Sequence, residues 1–253
     1  MKTKIHLSKI SVLHYLKLFT RSLLFLAVLV FYILDRTDVL KNFKPIPIAV
    51  WIIFVVEIIF RFFPSRFESL GCQKQFKRNY QPKGDDVKPT NQPARVTALV
   101  AFLWLALNAA IGALYLFGVI DSGILILVAL AFSVCDIICI LFFCPFQTWF
   151  MKNRCCATCR IYNWDFAMMF TPLVFIPDIY TYSLLGCALI LLLRWEITYK
   201  LHPERFSVST NGCLDCSKCK EKLCQHKKQL RGFLKKYKDT FFGTRNASDE
   251  ESK

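Results

Sequence analysis

Long, nearly uncharged runs of apolar residues are the feature that most constrains this chain. Residues Leu18–Leu34 and Gly123–Cys144 carry one charge each, and their apolar residues are continuous rather than confined to one helical face. A helix needs about 20 apolar residues to cross the hydrocarbon core of a bilayer, so such runs are typical of membrane spans. A hydrophobic content of 55% over 253 residues is also high for an ordinary soluble domain. We therefore expect an all-α polytopic membrane protein.

The apolar pattern predicts six spans within residues 18–201. A polar stretch over residues 64–95 separates the second span from the third, and its composition predicts a mobile loop. The last apolar region contains Pro172, Pro177 and Asp178, which predict a turn between two short spans. A single long span there, giving five in all and an external tail, is the alternative. The predicted spans cover residues 18–34, 46–63, 96–120, 123–144, 161–176 and 180–195.

Basic residues are concentrated on one side of these spans. The N-terminal arm 1–17, the loop 64–95, the loop after the fourth span and the tail 202–253 are all rich in Lys and Arg, whereas the turn at Asp121 has none. Because Lys and Arg collect in cytoplasmic loops, we expect both termini in the cytoplasm and an even number of spans in the cell membrane. The net charge of +15 then indicates contact with the anionic inner leaflet rather than with nucleic acid.

Four cysteines lie within twelve residues of the tail, in the order C-x2-C-x2-C-x4-C. In a reducing compartment we expect thiols rather than disulfides. Two-residue spacers allow neighbouring thiolates to turn toward one ion. The fourth predicted span ends in a cysteine, and three more cysteines lie in the loop that follows it. The predicted metal ligands are Cys144, Cys155, Cys156, Cys159, Cys213, Cys216, Cys219 and Cys224.

The identity of the metal stays open between zinc and an iron–sulfur cluster. A four-thiolate zinc site needs two such elements, for example Cys156 and Cys159 with two tail cysteines. The tail run resembles the closely spaced cysteines of bacterial ferredoxins over these twelve residues only. Its last spacer is one residue longer, and Gln225 follows where proline is expected, although Cys144-Pro145 offers a Cys-Pro pair elsewhere. Ordinary reduced thiols and palmitoylation sites are the alternatives to a metal centre.

Charged and polar residues inside the predicted spans suggest local pairs. We expect Arg21 to extend to the near interface and Glu57 to pair with Arg61 one helical turn away. Asp136 is expected to share an interhelical hydrogen bond with Asn108, the alternative being a proton or ion station formed by Asp136 alone or with Glu57.

The remaining candidates are secondary. Cys135, Cys139 and Cys187 lie inside predicted spans and are expected to be packing groups, and Cys72 stands alone in the polar loop. His202 and Glu204 flank Pro203, which predicts a turn with an ion pair or, alternatively, a second shell for the metal site. The far tail predicts a basic amphipathic helix on the inner leaflet. Its apolar positions are Leu223, Leu230, Leu234, Tyr237 and Phe241.

These features favour a membrane protein with a cysteine-ligated metal centre at its cytoplasmic face. In the leading hypothesis, an iron–sulfur cluster passes electrons between a soluble donor and a quinone or partner subunit. The alternatives are a scaffold that zinc stabilises for recruiting a partner protein and, with less support, a small transporter that uses Asp136 and Glu57.

Overall fold

The computed structural model describes residues 9–34, 45–64, 70–84, 87–90, 93–151 and 156–215. Within these ranges the chain is helical and has no β-strand, so the expected all-α class is confirmed. Short 3-10 or π-helical turns connect the longer helices. The α-helices are α1 (Lys9–Leu34), α2 (Pro45–Phe62), α3 (Leu70–Gln75), α4 (Ala94–Leu116), α5 (Ser122–Leu141), α6 (Asp165–Phe170) and α7 (Ile179–Leu201).

Three helices of the described chain are long and apolar enough to cross a membrane. They are Val12–Leu34 within α1, and the whole of α4 and of α5. Their outer faces carry large apolar side chains, such as Phe102, which is 66% exposed. Soluble monomers rarely expose apolar surface of this extent, whereas lipid-facing helices do. The sequence predicted six spans, and these three candidate helices do not confirm that number.

The predicted fifth span is not one helix in the structure. Residues 161–176 fall on a 3-10 turn (Arg160–Trp164), on α6 and on a second 3-10 turn (Thr171–Phe175). Pro172 lies at the start of the second turn, where its missing N–H is tolerated. Phe166, Met169 and Leu173 are buried in the core of the bundle rather than directed at lipid. Hydropathy did not reveal this break, because the buried side chains of an irregular segment are as apolar as those of a continuous helix.

The buried side chain of Arg21 joins three helices and is only 5% exposed. One guanidinium nitrogen, Nη2, lies 2.5 Å from Glu57 Oε2 on α2. The other, Nη1, donates to the backbone carbonyl of Ser133 at 2.9 Å and lies 3.4 Å from Asp136 Oδ2, both on α5. Lys17 adds a second cation 3.6 Å from Glu57. The expectation that Arg21 reaches the membrane interface is therefore wrong, because two acids on neighbouring helices hold it inside the bundle.

Two other predicted pairs are absent, and their residues have different partners. Arg61 binds Asp165 at the start of α6, at 2.5 Å, instead of pairing with Glu57. Asn108 donates to the carbonyl of Trp104 on its own helix, at 2.9 Å, rather than to Asp136. The spacing of Glu57 and Arg61 along one helix predicted their ion pair. In the structure the buried Arg61 instead pairs with an acid on another helix, Asp165.

Replacing Arg21 with methionine should destabilise the protein by about 3–5 kcal/mol, because Glu57 and Asp136 would remain buried without their shared cation. The thermal unfolding midpoint of the detergent-solubilised protein measures this loss.

Lys17→Met is the matched control, since the Lys17 side chain is 26% exposed and at a longer distance from Glu57; it should cost much less. Combining Arg21→Met with Glu57→Gln and Asp136→Asn should recover much of the loss. A single Arg21→Met variant as stable as the parent would contradict the buried network.

Candidate functional site

Five cysteines line one cavity of about 140 Å³. The cavity is bounded by α5, by the π-helical turn Phe146–Phe150 and by the segment that runs from Cys156 into α6. Two carboxylates, Asp136 and Asp165, also line it, and each is engaged by an arginine of the bundle. The cysteines are Cys135, Cys139, Cys144, Cys156 and Cys159.

Gln147 connects two of these cysteines. Helix α5 ends at Leu141, and the π-helical turn Phe146–Phe150 directly follows Pro145. The backbone N–H of Gln147 donates to Cys144 Sγ at 3.4 Å, while its side-chain Oε1 accepts from the Cys156 thiol at 3.2 Å. Gln147 therefore connects Cys144 and Cys156 in one wall of the cavity.

The two-residue spacer between Cys156 and Cys159 forms the tight turn that the spacing predicts. The N–H of Cys159 donates to the carbonyl of Cys156 at 3.0 Å, closing a 3-10 turn over Cys156–Thr158. Cys159 is 4% exposed. The next residue, Arg160, binds Glu196 of α7 at 2.5 Å. This ion pair fixes the turn against α7.

The structure brings some predicted metal ligands together. Cys144, Cys156 and Cys159 share the cavity wall, whereas Cys213 lies on a separate 3-10 turn (Gly212–Leu214) and is not part of that wall. Within the described ranges no three His, Cys, Asp or Glu side chains lie close enough together to hold a metal ion. Metal binding therefore stays a prediction that depends on further donors. Cys155, Cys216, Cys219 and Cys224, and the predicted amphipathic helix, lie outside the described residues.

Helix α3 contacts both cysteine-bearing segments through consecutive residues. Gln75 Nε2 donates to the carbonyl of Ala157, inside the Cys156–Cys159 turn, at 2.6 Å. The carbonyl of the preceding residue, Lys74, accepts from Asn211 Nδ2 at 3.1 Å, two residues before Cys213. The sequence predicted a mobile loop over residues 64–95, but its described part contains a helix whose polar side chains are buried against both segments.

Asn211 fixes the beginning of the tail. Its side-chain nitrogen donates to the carbonyls of Lys74 and Arg205, at 3.1 and 2.9 Å. Its Oδ1 accepts from the N–H of Cys213 at 3.0 Å and from that of Gln81 at 3.4 Å. Asn211 is fully buried, so each of these bonds replaces a bond to water. The sequence reasoning missed this residue, although the dipeptide Asn-Gly that it forms with Gly212 is a turn signal.

The predicted contact between His202 and Glu204 is present, with His202 Nδ1 3.1 Å from Glu204 Oε1. The backbone carbonyl of Glu204 also accepts from the Thr210 hydroxyl at 2.6 Å. Neither residue lines the cysteine cavity. The pair belongs to the turn that leads from α7 into the tail, which is the simpler of the two roles expected from the sequence.

Comparison with models of known protein families, with curated protein sequences and with solved structures finds no match to this chain. Its function is therefore inferred from its own residues.

Replacing Asn211 with alanine should release the tail from α3. Losing buried hydrogen bonds of this kind costs about 1–3 kcal/mol, and even 1–2 kcal/mol changes the population of an open state by about 5–30-fold. The alkylation rate of Cys213, followed by peptide mass spectrometry, should rise by about fivefold or more.

Asn79→Ala is the control, because Asn79 bonds only within the same loop, to the carbonyl of Gln73 at 2.8 Å. It should leave the Cys213 rate unchanged. Equal rates in the parent and in Asn211→Ala would show that this contact does not hold the tail.

Proposed function

We propose that this chain is a multi-pass membrane protein that holds a metal ion or cluster with cysteine thiolates at its cytoplasmic face. The observation that carries the proposal is the position of α3. Its consecutive residues Lys74 and Gln75 hydrogen-bond to the start of the tail and to the Cys156–Cys159 turn. The two cysteine-bearing segments are therefore neighbours at one end of the bundle.

The tail is long enough to complete such a site. Cys219 lies eight positions beyond Asn211, and an extended chain covers up to about 3.3–3.6 Å per residue. Two tail thiolates can therefore reach the turn that carries Cys156 and Cys159. Four lysines of the tail offset the charge that four thiolates would accumulate. These are Lys218, Lys220, Lys222 and Lys227.

The same donor set suits two functions. As an iron–sulfur cluster, the centre would carry electrons between a soluble donor and a quinone or partner subunit, which is the function we favour. As a zinc site, it would join the loop after α5 to the tail and form a surface for a partner protein.

Transport through Asp136 and Glu57 has less support, because Arg21 pairs with both acids and gives them a structural role. An acid that already compensates a buried cation is poorly suited to exchanging protons or ions.

The six-span topology is part of the proposal. Helices α1, α2, α4, α5 and α7 would supply five crossings, and residues 160–175 the sixth. Ten 3-10 residues and six α-helical residues in that segment extend about 29 Å if collinear, close to the thickness of the hydrocarbon core. Irregular backbone is tolerated at membrane depth where protein surrounds it, and Phe166, Met169 and Leu173 of this segment are buried. The charge bias then supports cytoplasmic termini and contact of the basic tail with anionic lipid.

Full-length protein purified anaerobically without chelators should contain a stoichiometric metal centre. A brown preparation with labile sulfide supports the iron–sulfur form, and colourless protein with bound zinc supports the scaffold form. The double variant Cys216→Ser/Cys219→Ser should lose the metal.

Cys187→Ser is the control, because Cys187 is a half-buried thiol of α7 that packs against the core. Its metal content should equal that of the parent. Parent protein without metal, or a double variant with full occupancy, would refute the proposed centre.

A reporter active only in the cytoplasm, fused after Lys253, should be active. The same reporter fused after Asp121, in the turn between α4 and α5, should be inactive, because that turn lies on the opposite side in the six-span topology. An inactive C-terminal fusion would instead support five spans and an external tail.

A further inference from the structure

The cysteine cavity has the size and the lining of a site for one aromatic ring. Its volume of about 140 Å³ is close to that of an engineered cavity of about 150 Å³ that binds benzene in another protein. Aromatic side chains form part of its wall, and the rings of Trp104 and Phe132 lie against each other with centroids 4.7 Å apart. Phe146 and Tyr162 add two more rings. Because aromatic rings pack favourably against one another, the cavity favours a flat apolar ligand.

One buried polar atom of this wall has no hydrogen-bond partner in the described part of the chain. The side chain of Asp165 is 6% exposed, and its Oδ2 binds Arg61 at 2.5 Å. The other carboxylate oxygen, Oδ1, is buried and accepts no hydrogen bond from any described residue. A buried acceptor without a donor costs free energy, and the cost is larger for a charged group. A ligand that brings a hydrogen-bond donor into the cavity would satisfy this oxygen.

Other polar atoms of the wall are already bonded within the bundle. Trp104 Nε1 donates to the hydroxyl of Thr171 at 3.4 Å, and Gln147 Oε1 accepts from the Cys156 thiol at 3.2 Å. The buried atom that is left to recognise a ligand is the Asp165 acceptor. The cavity should therefore select a ring that carries a hydroxyl, such as a phenol or a quinol, over a ring that carries only an ether or a carbonyl oxygen.

The cavity can be reached from the outer face of α5. Cys135 lines the cavity and is exposed, and Ile138 on the same helix is 39% exposed. Helix α5 is one of the candidate membrane spans, so its exposed apolar face is suited to contact with lipid. An apolar ring would then enter from the hydrocarbon core of the bilayer. This position points to a lipid-soluble ligand.

We propose that this cavity binds the aromatic ring of a lipid-soluble phenol or quinol, whose hydroxyl donates a hydrogen bond to Asp165 Oδ1. Cys156 and Cys159 line the same cavity, so the ring lies beside two thiols of the proposed metal centre. A quinol is the reduced form of the quinone in the proposed electron transfer, and its assignment as that substrate rests on the proposed function. Binding of the ring itself requires no residue of the tail.

Fluorine NMR of the full-length protein in detergent tests the site with two probes. The first is para-fluorophenol, and the second is para-fluoroanisole, which has the same ring with a methyl ether in place of the hydroxyl. The phenol should bind saturably and at least about tenfold more tightly than the ether, because the ether leaves Asp165 Oδ1 without a donor. The ether partitions more strongly into micelles, so nonspecific uptake would give the opposite order. Equal affinities, or no saturable binding of the phenol, would overturn the proposal.

Three variants test the position of the ring. Cys139→Phe should abolish phenol binding, because the new side chain would fill the cavity. Ile138→Phe is the matched control, since its side chain is partly exposed and does not line the cavity, and it should bind the phenol like the unaltered protein. Arg61→Met/Asp165→Ala removes the acceptor together with its paired cation, and it should bind the two probes equally. Phenol binding retained in Cys139→Phe, or the preference for the phenol retained in the double variant, would contradict the site.

A second measurement identifies the source of the ligand. Mass spectrometry of organic extracts should find a lipid-soluble phenol or quinol with the unaltered protein and not with Cys139→Phe. Its absence from both would refute a lipid-soluble ligand.

The ring site and the metal centre can fail separately. Phenol binding should persist in the Cys216→Ser/Cys219→Ser variant, because the ring site needs no tail residue. Unaltered protein that binds the phenol but contains no metal would refute only the metal centre, and the reverse result would refute only the ring site.

Discussion

The buried guanidinium of Arg21 is the interaction on which the rest of the bundle depends. A charge near the centre of a bilayer costs on the order of 3 kcal/mol on insertion scales, so it must face the protein interior and be compensated there. Arg21 meets this requirement with Glu57 and Asp136, and thereby sets α1, α2 and α5 at fixed positions. A second pair, Arg61 with Asp165, extends the same logic to α6. Since Asp136 and Asp165 also line the cysteine cavity, these two pairs fix its walls.

The apolar runs predicted the helices well but not their partners. The third and fourth predicted spans, 96–120 and 123–144, match α4 and α5 to within a few residues because hydropathy and turn residues mark their ends. The break in residues 160–175 was missed, since core and lipid environments select the same residues. Partners of buried charges were also missed, because a single sequence reveals neighbours along one helix and not those across helices.

The sequence likewise predicted only the local features of the candidate site. Spacing alone predicted the tight turn between Cys156 and Cys159 and suggested that Cys144 lies near it. The spacing did not predict that α3 connects this turn to the tail. In the sequence Gln75 and Asn211 are ordinary polar residues, and only the fold brings them to the buried hydrogen bonds that make this connection.

The central claim is that thiolates of the tail and of the loop after α5 share one metal centre. X-ray absorption at the metal edge of anaerobically purified full-length protein tests it most directly, because the spectrum reports the metal and its neighbours together. The account predicts iron or zinc surrounded only by sulfur. A first shell of nitrogen and oxygen, or no stoichiometric metal at all, would contradict it.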